Sequence, residues 1–174
     1  SKNNVSNINL NVDYNLVYFY KISNFSYSWE NVEFYYDSNV SNNYEDFLFN
    51  SLGWTIISER VRSLFCDLNV RGVDFFPVKL IDLAKKMPDK IYYALYINNF
   101  IQAYDLENSQ YRYTEKYDVY SFSPMKIMFN KDICDNYDIF RCSLDRIPIY
   151  VNERLYNAIL NNGLVGFEFL KVSD

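Results

Sequence analysis

The stretch WTIISERVRSLFCDLNVRGVDFFPV, residues 54–78, decides the fold, because it spells a strand, a helix and a second strand in one run. The β-branched residues 55–57 lead into Ser58, whose hydroxyl can accept a hydrogen bond from an N–H of the first helical turn. Glu59 follows, and a negative charge suits a helix N-terminus. Val61, Leu64, Phe65 and Leu68 then recur at the spacing that gathers them on one helix face. Gly72 opens an alternating run, Val73-Asp74-Phe75-Phe76, that predicts a strand.

The same pattern returns without a gap at residues 148–172, PIYVNERLYNAILNNGLVGFEFLKV. Glu59, Arg60, Gly72, Phe75 and Val78 recur as Glu153, Arg154, Gly166, Phe169 and Val172. Asn152 takes the capping place of Ser58, Leu155, Ala158 and Ile159 repeat the apolar stripe, and Gly163 fits the C′ position that ends a helix. Coincidence of cap, stripe and glycine marks an internal repeat.

Outward from the repeats the chain reads mostly as strand. Residues 14–22 and 32–36 are Tyr-rich β segments, and 90–97 (KIYYALYI) is apolar enough for a central strand. Residues 111–120 predict a half-exposed hairpin and 125–129 a short strand. Residues 81–87, before Pro88, and 131–135 predict single helical turns. The expectation is one α+β domain over 1–174, with a mostly antiparallel sheet, few helices and two similar strand–helix–strand modules.

Composition narrows the function classes. Three scattered cysteines, Cys66, Cys134 and Cys142, fit reduced thiols rather than a disulfide framework, and residues 1–11 lack the basic start and apolar core of a secretory signal. Both point to a cytoplasmic protein. No apolar run is long enough to span a bilayer. The net charge is −5, and in the first third Asp13, Glu30, Glu33, Asp37, Glu45 and Asp46 face only Lys2 and Lys21. Such a surface disfavours nucleic acid and anionic membrane, which need cations, and favours a basic protein partner.

Catalytic signals are sparse. Histidine is absent, which removes the commonest general base and metal ligand, and no zinc pattern, P-loop or GxGxxG is present. No catalytic residue, metal or cofactor is assigned. The carboxylate pairs Asp74 with Glu168, Asp105 with Glu107 and Glu45 with Asp46 keep a two-acid hydrolase open, and the tyrosines keep a carbohydrate or small-ligand module open.

Three blocks resemble one family. LGWTIISERVRSLFCDLNVRGVDFFPV (52–78), IQAYDLENSQY (101–111) and IFRCSLDRIPIYVNERLYNAILNNGLVGFEFLKV (139–172) are similar to the signatures of a bacterial immunity-protein family. It is the family numbered eleven among polymorphic-toxin immunity proteins, formerly a domain of unknown function. The likeness covers about 46–172, carries Glu59, Arg60, Asp105, Glu107, Ser109, Glu153, Arg154 and Gly166, and leaves 1–45 as a variable part. Tyr104 and Cys142 depart from the family's usual small or apolar residue and leucine. The resemblance implies an inhibitor that binds and occludes a cognate toxin domain; it implies nothing about oligomeric state. If the repeats are scaffold, specificity belongs to what they do not fix. The candidate partner face is then Glu30, Glu33, Tyr35, Tyr36, Asp37, Tyr44, Glu45 and Asp46.

Overall fold

The computed structural model describes residues 4–5, 29, 32–37, 39, 45–50, 52–84, 87–123 and 126–172. In chain order they form β1 (Asn4–Val5), β2 (Val32–Tyr36), β3 (Phe47–Asn50), β4 (Ile56–Ser58), α1 (Glu59–Asp67), β5 (Val73–Asp82) and β6 (Met87–Ile97). There follow β7 (Phe100–Ile101), β8 (Tyr111–Thr114), β9 (Val119–Phe122), α2 (Lys131–Cys134), β10 (Ile139–Cys142), β11 (Tyr150–Val151) and α3 (Glu153–Asn161). The fold is a single α+β domain, as the sequence predicts.

The main sheet has six strands in the order β1-β3-β4-β6-β5-β2. β6 lies between β4 and β5 and runs antiparallel to both, the central place expected of residues 90–97. Strand side chains alternate between faces, so β6 serves two cores. Tyr92, Ala94 and Tyr96 join Val32, Phe34, Leu48, Trp54, Ile56, Val78 and Leu80 on one face. The edge strands β1 and β2 approach each other around that core, so the sheet is strongly curled. Tyr93, Leu95 and Ile97 face the other way, against Val61 and Phe65 of α1 and Leu155 and Ile159 of α3. A smaller sheet, β11-β10-β7, and the separate hairpin β8-β9 complete the described part.

Three sequence expectations change. The described residues of 81–87 hold no helical turn: Ile81 and Asp82 end β5, Met87 starts β6, and Leu83 and Ala84 lie in a turn. Buried Asp82 accepts the Ala84 N–H at 3.0 Å, an Asx-type turn that competes with helix locally, and pairing with β2 and β6 holds the strand. Residues 125–129 form no strand among the described residues; Phe129 makes only an isolated bridge with Tyr104. The second copy's closing segment, after Gly166, belongs to no ladder. The strand expected at 14–22 lies outside the described residues.

The repeat itself proves longer than the sequence match. Each helix is preceded by an antiparallel hairpin: Phe47 pairs with Ile57 as Ile139 pairs with Val151, and Leu48 pairs with Ile56 as Phe140 pairs with Tyr150. The link between these positions is two residues longer in the second copy, so an ungapped comparison stops short of it. A further parallel strand flanks each hairpin, β1 beside β3 and β7 beside β10. The unit is therefore a hairpin followed by a helix, with a strand alongside.

Candidate functional site

The two helices begin alike. Ser58 Oγ accepts the Val61 N–H at 3.4 Å, and Asn152 Oδ1 accepts the Leu155 N–H at 2.9 Å. Each cap is held in turn by an aspartate at the mouth of its hairpin. The Ser58 hydroxyl donates to Asp46 at 2.7 Å, and the Asn152 amide donates to Asp138 at 2.9 Å. The backbone repeats the pairing, Ser58 N–H to Asp46 C=O at 2.9 Å and Asn152 N–H to Asp138 C=O at 3.0 Å.

The helices also end alike. Asn69, with φ 53°, and Gly163, with φ 58°, occupy the left-handed C′ position that closes each one. Asparagine tolerates that conformation better than other residues with a Cβ, so the first copy needs no glycine there.

The arginines of the two Glu-Arg pairs tie the copies together. Arg60 donates to Asp46 at 3.0 Å and, with its other terminal nitrogen, to the Asn162 carbonyl at 3.0 Å. Arg154 donates to both carboxylate oxygens of Asp138, at 2.9 and 2.5 Å, and to the Leu68 carbonyl at 3.2 and 3.3 Å. Leu68 and Asn162 are the C-caps of α1 and α3. Each arginine thus stands at the first turn of its own helix and satisfies a carbonyl at the last turn of the other. A cation is poorly placed at an N-terminus and well placed at a C-terminus, and the reciprocal crossing resolves the conflict. The guanidinium of Arg154, followed by the Asn152 amide, holds the Asp138 carboxyl below the usual aspartate range.

Of the other family-motif residues, Glu59, Asp105, Ser109 and Gly166 are likewise engaged within the chain. Glu59 accepts from Arg62 at 2.8 Å, and a Tyr93 hydrogen bond is the main cause of its lowered pKa. Asp105 accepts the N–H groups of Glu107 and Asn108 and the Asn108 amide, forming a turn, and the last of these chiefly lowers its pKa. Ser109 stitches that turn to Met128, accepting its N–H at 2.9 Å and donating to its C=O at 3.2 Å. Glu107 and Glu153 are exposed. Gly166 has φ 94°, and a Cβ there would lie 2.5 Å from the Phe47 carbonyl oxygen, so only glycine fits.

The expected partner face divides. Glu33 and Tyr35 share the outer side of β2, where the Tyr35 hydroxyl donates to Glu33 at 2.8 Å, and Asp37 is half-buried. Tyr36 points to the opposite side and is buried in the core, as the alternation of a strand requires. Asp46 is 4% exposed and accepts Ser58, Arg60 and the Val165 N–H, so a docking protein does not reach it. Glu45 is half-buried beside Gly166. Glu30 and Tyr44 lie outside the described residues.

Asp74 accepts the Asn98 amide at 2.6 Å, Glu168 is exposed in the other copy, and Asp105 is committed to its turn. Among the described residues no three His, Cys, Asp or Glu side chains gather as metal ligands, and no helix is long and apolar enough to cross a membrane.

Two features escaped the sequence reading. Asp138 was passed over although it precedes β10 as Asp46 precedes β3. The exposed apolar residues of the second copy, Tyr156, Leu160, Val165, Phe169 and Leu170, form the other. Its signal was present: Tyr156 and Leu160 are apolar positions left over once Leu155 and Ile159 have filled the buried stripe.

These features define a small domain built on a duplicated hairpin–helix unit, whose signature arginines tie the two halves together. The chain belongs to the immunity protein family Imm11, whose family model matches residues 9–174. No curated protein sequence matches the chain.

Proposed function

We propose that this protein neutralises a cognate polymorphic toxin by binding its toxin domain and occluding it, in the cytoplasm of the cell that makes both. The family match over residues 9–174 carries the proposal. The engagement of these motif residues within the chain agrees with it: Arg60, Arg154, Asp105 and Ser109 hold the scaffold and leave recognition to other surfaces. The reading gives part of the recognition surface to the outer side of β2, at Glu33, Tyr35 and Asp37, and part to Glu45 beside Gly166; their acidity suits a basic toxin and speeds its encounter.

Co-expression with the C-terminal domain of a large secreted protein encoded beside this chain tests the proposal. The expected result is rescue of growth and co-purification of a one-to-one complex. A toxic neighbour that is neither rescued nor bound would end it. Reversing Glu33, Asp37 and Glu45 to lysine should slow association and flatten its salt dependence; unchanged kinetics would move the interface elsewhere.

A further inference from the structure

The duplication supplies an internal template for a surface that is otherwise unexplained. In the first copy the segment after the glycine, β5, is covered along its length by β6: Val73 pairs with Ile97, Asp74 with Tyr96, Phe75 with Leu95 and Phe76 with Ala94. The equivalent residues of the second copy are Phe167, Glu168, Phe169 and Leu170. No ladder includes them among the described residues. Phe75 and Phe76 are half-buried, whereas Phe169 is 38% and Leu170 65% exposed.

The helix beside them differs in the same sense. Arg62, Cys66 and Arg71 of the first copy are replaced by Tyr156, Leu160 and Val165. Tyr156 packs edge-on against Phe169 at 5.0 Å, Phe169 stacks at 5.8 Å with Phe167, and Phe167 meets Phe47 at 5.3 Å. This aromatic row is preordered, and its outer side is open. Glu168 lies within it, Glu153 one helical turn before Tyr156, and Glu45 beside Gly166, against Lys171.

We propose that residues 167–170 form an open strand position which a basic, apolar strand of the toxin fills by strand addition, as β6 fills the equivalent position in the first copy. The proposal rests on the immunity function above and names the toxin element that is recognised. Main-chain hydrogen bonds supply the pairing, the aromatic row receives alternate apolar side chains, and the acidic rim selects a cationic strand. Glu168 stands where Asp74 accepts Asn98, so a lysine or arginine of the incoming strand is expected opposite it.

The test uses the full chain and the toxin domain encoded beside it, with amide hydrogen exchange and binding measured together. Complex formation should slow exchange across 167–170 by about tenfold or more, as new strand hydrogen bonds do. Leu170→Lys, at an exposed position, should leave the melting temperature unchanged and weaken binding by about 30-fold, the size of a hot-spot loss. Binding and rescue by the wild-type chain without protection at 167–170, and without loss in Leu170→Lys, would overturn this site while leaving the immunity function intact. Absence of wild-type binding would remove both. Protection of the same amides by self-association alone, abolished by Leu170→Lys, would identify a second copy of this chain as the occupant and would likewise overturn the proposal.

Discussion

The two copies of the hairpin–helix unit share their caps, their aspartates and their crossing arginines, yet the first is closed and the second open. In the first copy β6 lies between β4 and β5, and the strand after the helix is fixed on both sides. In the second, the segment after the helix leaves Phe169 and Leu170 in solvent. The shared caps, aspartates and arginines hold the fold, and the copies differ in how far the segment after the helix is covered.

The comparison can be broken most severely at the aspartates. Asp46 is nearly inaccessible and Asp138 partly exposed, although each holds a cap and an arginine. Asp46→Ala should cost about 3 kcal/mol, because it strands the Val165 N–H as well as Ser58 and Arg60. Asp138→Ala should cost about half of that, as solvent can replace part of its bonding. Equal losses in urea unfolding would mean that burial does not distinguish the two.

The glycines give a smaller contrast. Gly166→Ala should cost about 2 kcal/mol, since its positive φ and the Phe47 carbonyl both oppose a Cβ. Gly163→Asn should be nearly neutral: nothing lies within 4 Å of a Cβ there, and Asn69 already holds the same conformation in the first copy. Thermal melts of the two variants measure the difference.

The smallest expected effect concerns pH. Asp138 has a folded pKa below its unfolded value of about 3.9, so its contribution is complete well above that pH and is lost as pH falls through the lowered folded value. Arg154→Gln removes the main cause of the shift and should flatten stability against pH below about pH 4. An unchanged acid limb would assign the shift to Asn152 instead.

Much of the fold was legible because its signals are local. The cap of Ser58, the stripe from Val61 to Leu68, the glycine at Gly163 and the apolar run into Ile97 each act within a few residues, and each formed the element expected. The turn at Leu83 was misread because Asp82 caps it locally while strand pairing on both sides determines the backbone before it. At the candidate face, the alternation of β2 already implied that Tyr36 turns away from Glu33 and Tyr35. The burial of Asp46 had no such signal, since Val165, one of its partners, lies far along the chain.

By itself the sequence determined the repeated strand and helix, the family likeness and the absence of histidine chemistry, all properties of residue type and short spacing. Only the tertiary structure decided what the arginines do. Arg60 and Arg154 are misplaced cations when each helix is considered alone. They become well placed once the helices pack so that each N-terminus meets the other's last carbonyl, because a helix end is an electrostatic site that a second chain segment, and not a neighbour in sequence, can satisfy.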